Sequence, residues 1–222
     1  MRRFLIVDDD VDLSFDDELR ADNQMGGVPA DVVHINPNDH IKSGVDSDSA
    51  VKSLLAEVEK QSRAFWDVVA IDLNLGDFGF EEKHKNHEVC LRVAEVVREH
   101  NRSATVFLYS GTLAKFIADI LNQGASDTQL RRIFQANVQN FVQRNRIASQ
   151  VTAAVDDPSW ILRVDRLLVR HAHLNVTPEE AEFAGRSFGE LATAVRCQDK
   201  VGRRVIELIS QYGFAGFTDL NS

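Results

Sequence analysis

Five short runs rich in apolar residues recur along the chain, and each ends in a polar residue or a turn. They are Phe4–Val7, Asp31–Ile35, Val68–Ile71, Ala104–Tyr109 and Asn140–Gln143. Apolar runs of this length, bounded by turn residues, are typical of strands that are buried on both faces of a parallel sheet. The pattern therefore predicts five strands.

Stretches with apolar residues at helical spacing separate these runs. Residues 49–65 and 89–100 carry apolar residues at intervals of three and four, as an amphipathic helix does. Weaker patterns of the same kind cover residues 13–25, 113–121 and 130–138. Because strand and helix alternate, we predict an α/β fold with a doubly wound, five-stranded parallel sheet and right-handed crossovers.

Toward the C-terminus the pattern changes to helices alone. Val155–Pro158 has the composition of a boundary turn, and residues 160–173 are amphipathic. Thr177–Glu180 has the sequence of a capping box with Pro at the first helical position, which predicts a helix start. We therefore predict two domains, residues 1–150 and a small all-helical domain of residues 151–222.

Composition and charge exclude several classes of protein. A formal net charge of -9 and a pI near 5.2 argue against non-specific nucleic-acid binding by the whole chain. Cys90 and Cys197 lie far apart with no partner at ligand spacing, so we expect buried free thiols rather than a disulfide or a zinc site. We expect His84 and His87 to be solvated loop residues rather than metal ligands. The apolar runs are too short for a signal peptide or a membrane span, which predicts a cytoplasmic protein.

Polar side chains end four of the predicted strands, and the predicted topology would bring them to one edge of the sheet. They are Asp8 with Asp9, Asp72, Ser110 and Arg144. Clustered carboxylates are hard oxygen ligands that suit Mg²⁺. A carboxylate beside a metal and a cation can also accept a phosphoryl group.

Residues 1–150 resemble the receiver domain of two-component response regulators. The segment FLIVDDD is similar to the family's first strand with its acidic pair, which implies that Asp8 and Asp9 hold Mg²⁺. Asp72 in VVAIDLNLGD lies where the family has its phosphoacceptor aspartate. Asn74, two residues further on, matches the residue whose backbone carbonyl completes the metal site.

The far side of the expected site resembles the family less closely. Ser110 in VFLYSGT matches the hydroxyl switch residue, and Phe141 in NFVQRN matches the switch aromatic. Arg144 stands in place of the phosphate-binding lysine, and Asn145 in place of the proline that follows it. A planar guanidinium is not equivalent to a compact ammonium group, so the resemblance implies an atypical receiver.

The resemblance implies a response regulator of a phosphorelay. Asp72 would accept a phosphoryl group, with Mg²⁺, from a histidine kinase or a phosphotransfer protein, and the chain would not otherwise be an enzyme. Ser110 and Phe141 would read out the change and pass it to the helical domain, and a homodimer is compatible with this function. The alternative is a phosphorylation-independent receiver-like scaffold or protein-interaction module.

A second family resemblance starts from the same acids. Asp8 and Asp10 are similar to the DxD motif of haloacid-dehalogenase-like phosphatases, as nucleophile and general acid/base. Tyr109–Gly111 is similar to the second motif of that family. A later strand that ends in acids is missing, since Asp156 and Asp157 follow no clear strand. We therefore favour the receiver.

Residues 188–214 faintly resemble a helix-turn-helix segment. Its second helix would carry Lys200, Arg203 and Arg204 toward DNA phosphates. Arg196 stands where such turns usually have Gly, and acidic residues interrupt the basic ones. We therefore favour a helix pair that packs on the receiver or on a second subunit over a DNA-binding segment.

Overall fold

The computed structural model describes residues 2–9, 17, 19, 29–41, 44–80, 84–111, 132–133, 135–156, 160–175 and 183–208. Three predictions lie wholly or mostly outside these residues: the helices over 13–25 and 113–121, and the capping box at Thr177–Glu180. The chain divides into two compact units, residues 1–99 with 104–158, and residues 100–103 with 159–222. Each unit is described separately below.

The first unit is built on one sheet of five parallel strands, in the order β2-β1-β3-β4-β5. The strands are β1 (Arg2–Val7), β2 (Ala30–Ile35), β3 (Val68–Asp72), β4 (Thr105–Ser110) and β5 (Asn140–Gln143). This is the flavodoxin-like order, in which a ligand crevice lies beyond the carboxyl ends of β1 and β3. The predicted five-stranded parallel sheet of the α/β class is confirmed.

Helices cover both faces of this sheet. Helix α1 (Ser47–Ser62) begins where the Asp46 side chain accepts a hydrogen bond from the Ser49 N–H, and α2 (His84–His100) precedes β4. Both contribute apolar residues to a core that also contains Leu5, Val7, Val69, Ile71, Val106 and Leu108. The alternate strand residues Phe4, Ile6, Val68, Ala70, Phe107 and Tyr109 lie in a second core with helix α3 (Ile147–Asp156). The sheet is therefore doubly wound, as predicted.

Helix α3 belongs to the first unit, which extends to residue 158, whereas the sequence pattern placed the boundary at residue 150. Its Ile147, Val151 and Val155 lie in the same core as the strand residues. An apolar stripe with this spacing buries one face of a helix against the sheet. Because the sequence pattern shows no strand after β5, it predicts that most of α3 belongs to the C-terminal domain.

The helical segment predicted over residues 130–138 ends earlier. Among its described residues, 132, 133 and 135 are helical, and Asn137 turns the chain with a φ of 47°. The buried guanidinium of Arg98 donates to the carbonyl oxygens of Ala136 at 2.9 Å and Asn137 at 3.0 Å. These hydrogen bonds satisfy carbonyl groups at the end of the helical turn.

The second unit is helical in its described part. Helices α4 (Trp160–Arg170) and α5 (Phe188–Cys197) are followed by helical residues 200–208. A capping box at Ser187 and Glu190 starts α5. The buried core of the unit consists of Val164, Leu168, Phe183, Leu191, Ala192, Val195 and Val205.

A buried ion pair lies beside this core. Arg196 Nε donates to the two carboxylate oxygens of Asp165 at 3.1 and 3.0 Å, and Asp165 is fully buried. The Ser103 hydroxyl donates to Asp165 at 2.6 Å, and the Arg102 N–H donates to the Arg196 carbonyl at 2.8 Å. Residues 100–103 therefore pack as part of the second unit, although they precede β4 in sequence.

Two predictions from composition concern the burial of the cysteines and the length of the apolar segments. Cys90 is a buried free thiol as expected, but Cys197 is exposed, so that prediction is wrong for the second thiol. Cys197 is the last residue of α5 and lies outside the apolar core of its unit. None of the helices in the described ranges combines the length and the apolar character that crossing a bilayer requires.

Candidate functional site

The carboxyl ends of four strands, β1, β3, β4 and β5, bring acids and their partners together at one edge of the sheet. In the register of the strands, Val7 lies beside Ile71, and Asp72 lies beside Tyr109. Asp8 follows β1 directly, so its side chain and that of Asp72 emerge at the same edge. The predicted convergence of β1 and β3 is therefore observed.

Asp8 is almost completely buried, and both of its carboxylate oxygens accept hydrogen bonds. Oδ1 accepts from Arg144 Nη2 at 3.0 Å, and Oδ2 accepts from the Tyr109 hydroxyl. The His34 ring lies 3.0 Å from the Asp8 backbone carbonyl oxygen, measured from Nε2. The two hydrogen bonds from Arg144 and Tyr109 hold the Asp8 carboxylate in place at the carboxyl edge of the sheet.

Asp72 is 3% exposed and lies between a cation and a backbone donor. Its Oδ2 accepts from Arg144 Nη2, and its Oδ1 accepts from the Asn74 N–H at 3.0 Å. Burial raises the pKa of Asp72 to about 6, and the Asp8 charge also raises it, while the Asn74 hydrogen bond and Arg144 lower it. At neutral pH, Asp72 is therefore mostly ionised but close to its pKa.

Arg144 links the two buried acids. It is the first residue of the short 3-10 helix Arg144–Arg146 after β5, and its side chain is 33% exposed. Burial lowers the pKa of Arg144, but the Asp8 and Asp72 carboxylates outweigh burial and raise it overall. The guanidinium also lies over the Tyr109 ring, with Cζ 5.6 Å from the ring centroid. Arg144 thus places a permanent positive charge beside both carboxylates.

The acids also form a cluster with the geometry of a metal site. One carboxylate oxygen from each of Asp8, Asp9 and Asp72 lies within 4.8 Å of the others. This set of hard oxygen donors fits Mg²⁺, which takes a few carboxylates and retains several waters. The Asn38 side chain donates to the Asp9 backbone carbonyl at 3.0 Å.

Gly76 borders this cluster in a left-handed conformation, with a φ of 88°. A Cβ there would lie 3.3 Å from Asp9 Oδ2 and 3.2 Å from Asn38 Oδ1. Both the backbone conformation and the close approach therefore favour Gly at this position.

The remaining residues of the predicted site lie nearby, and their roles stay predictions. Ser110 is buried at the end of β4 and pairs with Gln143 in the strand register. Phe141 is partly buried in β5, beside Leu108. Asn74 supplies its N–H to Asp72, and its predicted role as a carbonyl ligand is a separate property. His84 and His87 belong to helix α2 and not to a loop, so the prediction of loop residues is wrong. Asp10 and the side chains of His84 and His87 lie outside the described part of the chain.

Tyr109 is a partner of the acids that the sequence pattern does not predict. The sequence pattern places it only in a strand and in a phosphatase-like motif. Side chains alternate along a strand, so Tyr109 and Ser110 point to opposite faces of the sheet. A buried tyrosine hydroxyl normally has a hydrogen-bond partner, and this rule could have directed attention to the nearest strand-end acid.

The helix-turn-helix resemblance is corrected at the turn. Arg196 lies within α5 and is buried against Asp165, so it does not occupy the turn. The left-handed residue is Gln198, with a φ of 47°, and Asp199 Oδ1 accepts from the Gly202 N–H at 2.7 Å. Lys200 and Arg203 are exposed on the following helix.

Comparisons with known proteins leave the family open. No protein-family model matches the chain, and no curated protein matches it. A crystal structure of the signal receiver domain of an HD domain-containing protein from Pseudomonas fluorescens Pf-5 is similar, with a TM-score of 0.38 and 13% identity. The similarity covers 75% of this chain and 92% of that chain. A likeness of this size carries no conclusion about function, and the fold assignment rests on the strand order.

Proposed function

We propose that the chain is an atypical response regulator, in which Asp72 accepts a phosphoryl group with Mg²⁺ bound at the neighbouring acids. The observation that carries this proposal is the cluster of Asp8, Asp9 and Asp72 with Arg144 bridging two of them. The cluster lies at the edge where the strand order reverses, which is where open α/β sheets bind ligands.

The reaction that fits this cluster is phosphoryl transfer from a phosphohistidine. A carboxylate oxygen of Asp72 attacks phosphorus, the P–N bond to the imidazole breaks, and the imidazole nitrogen leaves with the electron pair. With a pKa of about 6, Asp72 is mostly deprotonated at neutral pH and is available as the nucleophile. Mg²⁺, held by Asp8, Asp9 and Asp72, with the Asn74 carbonyl as a further ligand, would neutralise charge on the transferred group.

Arg144 and the two switch residues complete the proposal. The guanidinium reaches Asp72 and would bind an oxygen of the incoming phosphoryl group. Ser110 and Phe141 would then read out the modified site, and the helical second unit would act as the output or interaction module. Apart from its own phosphorylation, the chain would have no enzymatic activity.

The proposed partner is a histidine kinase or a phosphotransfer protein in the cytoplasm. A phosphohistidine on such a protein supplies the phosphoryl group that Asp72 would accept. Homodimerisation through the second unit is compatible with this function, and DNA binding through residues 188–214 is not favoured. The net charge of -9 disfavours binding to a polyanion.

Intact-mass measurement after incubation with Mg²⁺ and acetyl phosphate tests the proposal. Wild type should gain one phosphoryl group, and Asp72→Asn should gain none. Asp67→Asn is the matched control, because Asp67 is equally buried but lies before the opposite end of β3 and accepts the Arg3 N–H at 2.7 Å. No adduct on wild type would favour a phosphorylation-independent scaffold, and rapid turnover of a generic phosphatase substrate would favour a phosphatase.

A further inference from the structure

Tyr109 contacts the two groups that define the site while lying within the core of the sheet. Its side chain is fully buried among Phe4, Ile6, Phe107 and Val142. From that apolar surrounding its hydroxyl reaches out to Asp8 Oδ2. A buried hydroxyl without a hydrogen-bond partner costs free energy. The hydrogen bond to Asp8 therefore fixes the position of the Tyr109 hydroxyl.

The same side chain also supports Arg144. The guanidinium carbon lies 5.6 Å from the Tyr109 ring centroid, a distance at which the ring face attracts a cation. The hydroxyl therefore fixes one carboxylate, and the ring supports the cation that bridges that carboxylate to Asp72.

We infer that Tyr109 is a positioning residue for the metal site, which holds the Asp8 carboxylate in the orientation that Mg²⁺ binding needs. The Tyr109 hydroxyl donates a hydrogen bond to Asp8 Oδ2, so the other oxygen, Oδ1, faces Arg144. The Asp8 carboxylate can rotate about the single bonds of its side chain when one partner holds it. A hydrogen bond from a second partner prevents this rotation. Groups that orient a metal ligand in this way typically change metal affinity by about 10-fold to 100-fold.

This inference rests on the proposed function only in that both require a cation at Asp8, Asp9 and Asp72. Tyr109→Phe removes the hydroxyl and keeps the ring under Arg144, so it isolates the hydrogen bond to Asp8. Phe107→Leu is the matched packing control, because Phe107 lies on the same face of β4 and in the same core.

Calorimetric titration of the 222-residue chain with Mg²⁺ measures the effect. Tyr109→Phe should weaken Mg²⁺ binding by about tenfold or more, while Phe107→Leu should leave the affinity within about twofold of wild type. Near-UV circular dichroism of each variant without metal checks that the core remains packed. Equal Mg²⁺ affinities for Tyr109→Phe and wild type would overturn the inference, as would a wild type that binds no Mg²⁺.

A spectroscopic readout separates positioning from general packing. Mg²⁺ on Asp8 withdraws charge from the acceptor of the phenol hydrogen bond, so binding should produce a tyrosine difference band in near-UV absorption. The chain has two tyrosines, and the band should vanish in Tyr109→Phe and persist in Tyr212→Phe. A band that is absent from wild type, or that is lost with Tyr212→Phe, would contradict the inference.

The two proposals can fail separately. If Mg²⁺ binds and Tyr109→Phe weakens it, yet Asp72 gains no phosphoryl group, the phosphorelay function fails and the positioning role stands. If Asp72 is phosphorylated while Tyr109→Phe binds Mg²⁺ as wild type does, the positioning role fails and the function stands.

Discussion

Asp72→Asn should stabilise the metal-free protein at neutral pH. Asp8 and Asp72 are both almost completely buried, and Arg144 provides one positive charge that contacts both. Burial of the second negative charge raises the pKa of Asp72 from 3.8 to about 6. An amide at position 72 removes that charge, and its one carbonyl oxygen can accept a hydrogen bond from Arg144. The Asn74 N–H then loses its acceptor, so the gain in stability is smaller than the full cost of the charge.

The magnitude follows from the linkage between protonation and folding. The rise in the Asp72 pKa from 3.8 to about 6 corresponds to at most about 3 kcal/mol. Between these two pH values the folded protein binds more protons than the unfolded chain, so stability falls as pH rises through this window. Above pH 6 the buried Asp72 charge lowers the free energy of unfolding of wild type by its full amount. Asp72→Asn lacks this charge and should therefore unfold at a higher urea concentration than wild type.

Urea unfolding in EDTA at several pH values is the assay. In a Trp160→Phe background, fluorescence of the buried Trp66 reports on the first unit alone. The advantage of Asp72→Asn should be present at pH 7.5, shrink toward pH 4 and diminish when Mg²⁺ is added, because the cation pairs with the acids. Asp67→Asn should bring no such gain. An Asp72→Asn variant that is no more stable than wild type at pH 7.5 would refute the reasoning.

Three further substitutions test the packing of the helices. Gly202→Ala should destabilise the second unit by several kcal/mol, since its Cβ would lie 2.0 Å from the Ala194 carbonyl oxygen. Gly189→Ala, whose Cβ would lie 3.4 Å from the nearest atom, should be neutral or stabilising by up to about 1 kcal/mol. Thermal unfolding compares the two. Thr152→Val should raise the free energy of unfolding by about 1 kcal/mol, because within the described residues the Thr152 hydroxyl is buried with no hydrogen-bond partner. An unchanged urea midpoint would contradict this.

The sheet and the acids of the site could be predicted because their signals are local. A buried strand requires a continuous apolar run, and a polar residue at its end must lie at the sheet edge, as Asp8 and Asp72 do. The alternation of strands and helices then indicated a doubly wound sheet, so the convergence of these acids followed from the fold class.

The partners of these acids depend on distances that no local pattern encodes. Tyr109 reaches Asp8 across 101 residues of sequence, and Arg144 reaches it across 136. The direction in which a strand residue points follows from register and from which helix covers each face. The pairing of Asp165 with Arg196 spans 31 residues, and the spacing of apolar residues along either helix does not show it.

The discontinuity of the second unit has a consequence for dividing the chain into fragments. Asp165 accepts a hydrogen bond from Ser103, yet the whole of β4, β5 and α3 lies between them in sequence. A single cleavage after residue 158 would leave residues 100–103 on the other fragment and strip a buried carboxylate of one donor. The helical unit therefore cannot be exchanged between proteins at a single junction. Moving it into another protein would require residues 100–103 as well as residues 159–222, and so two junctions.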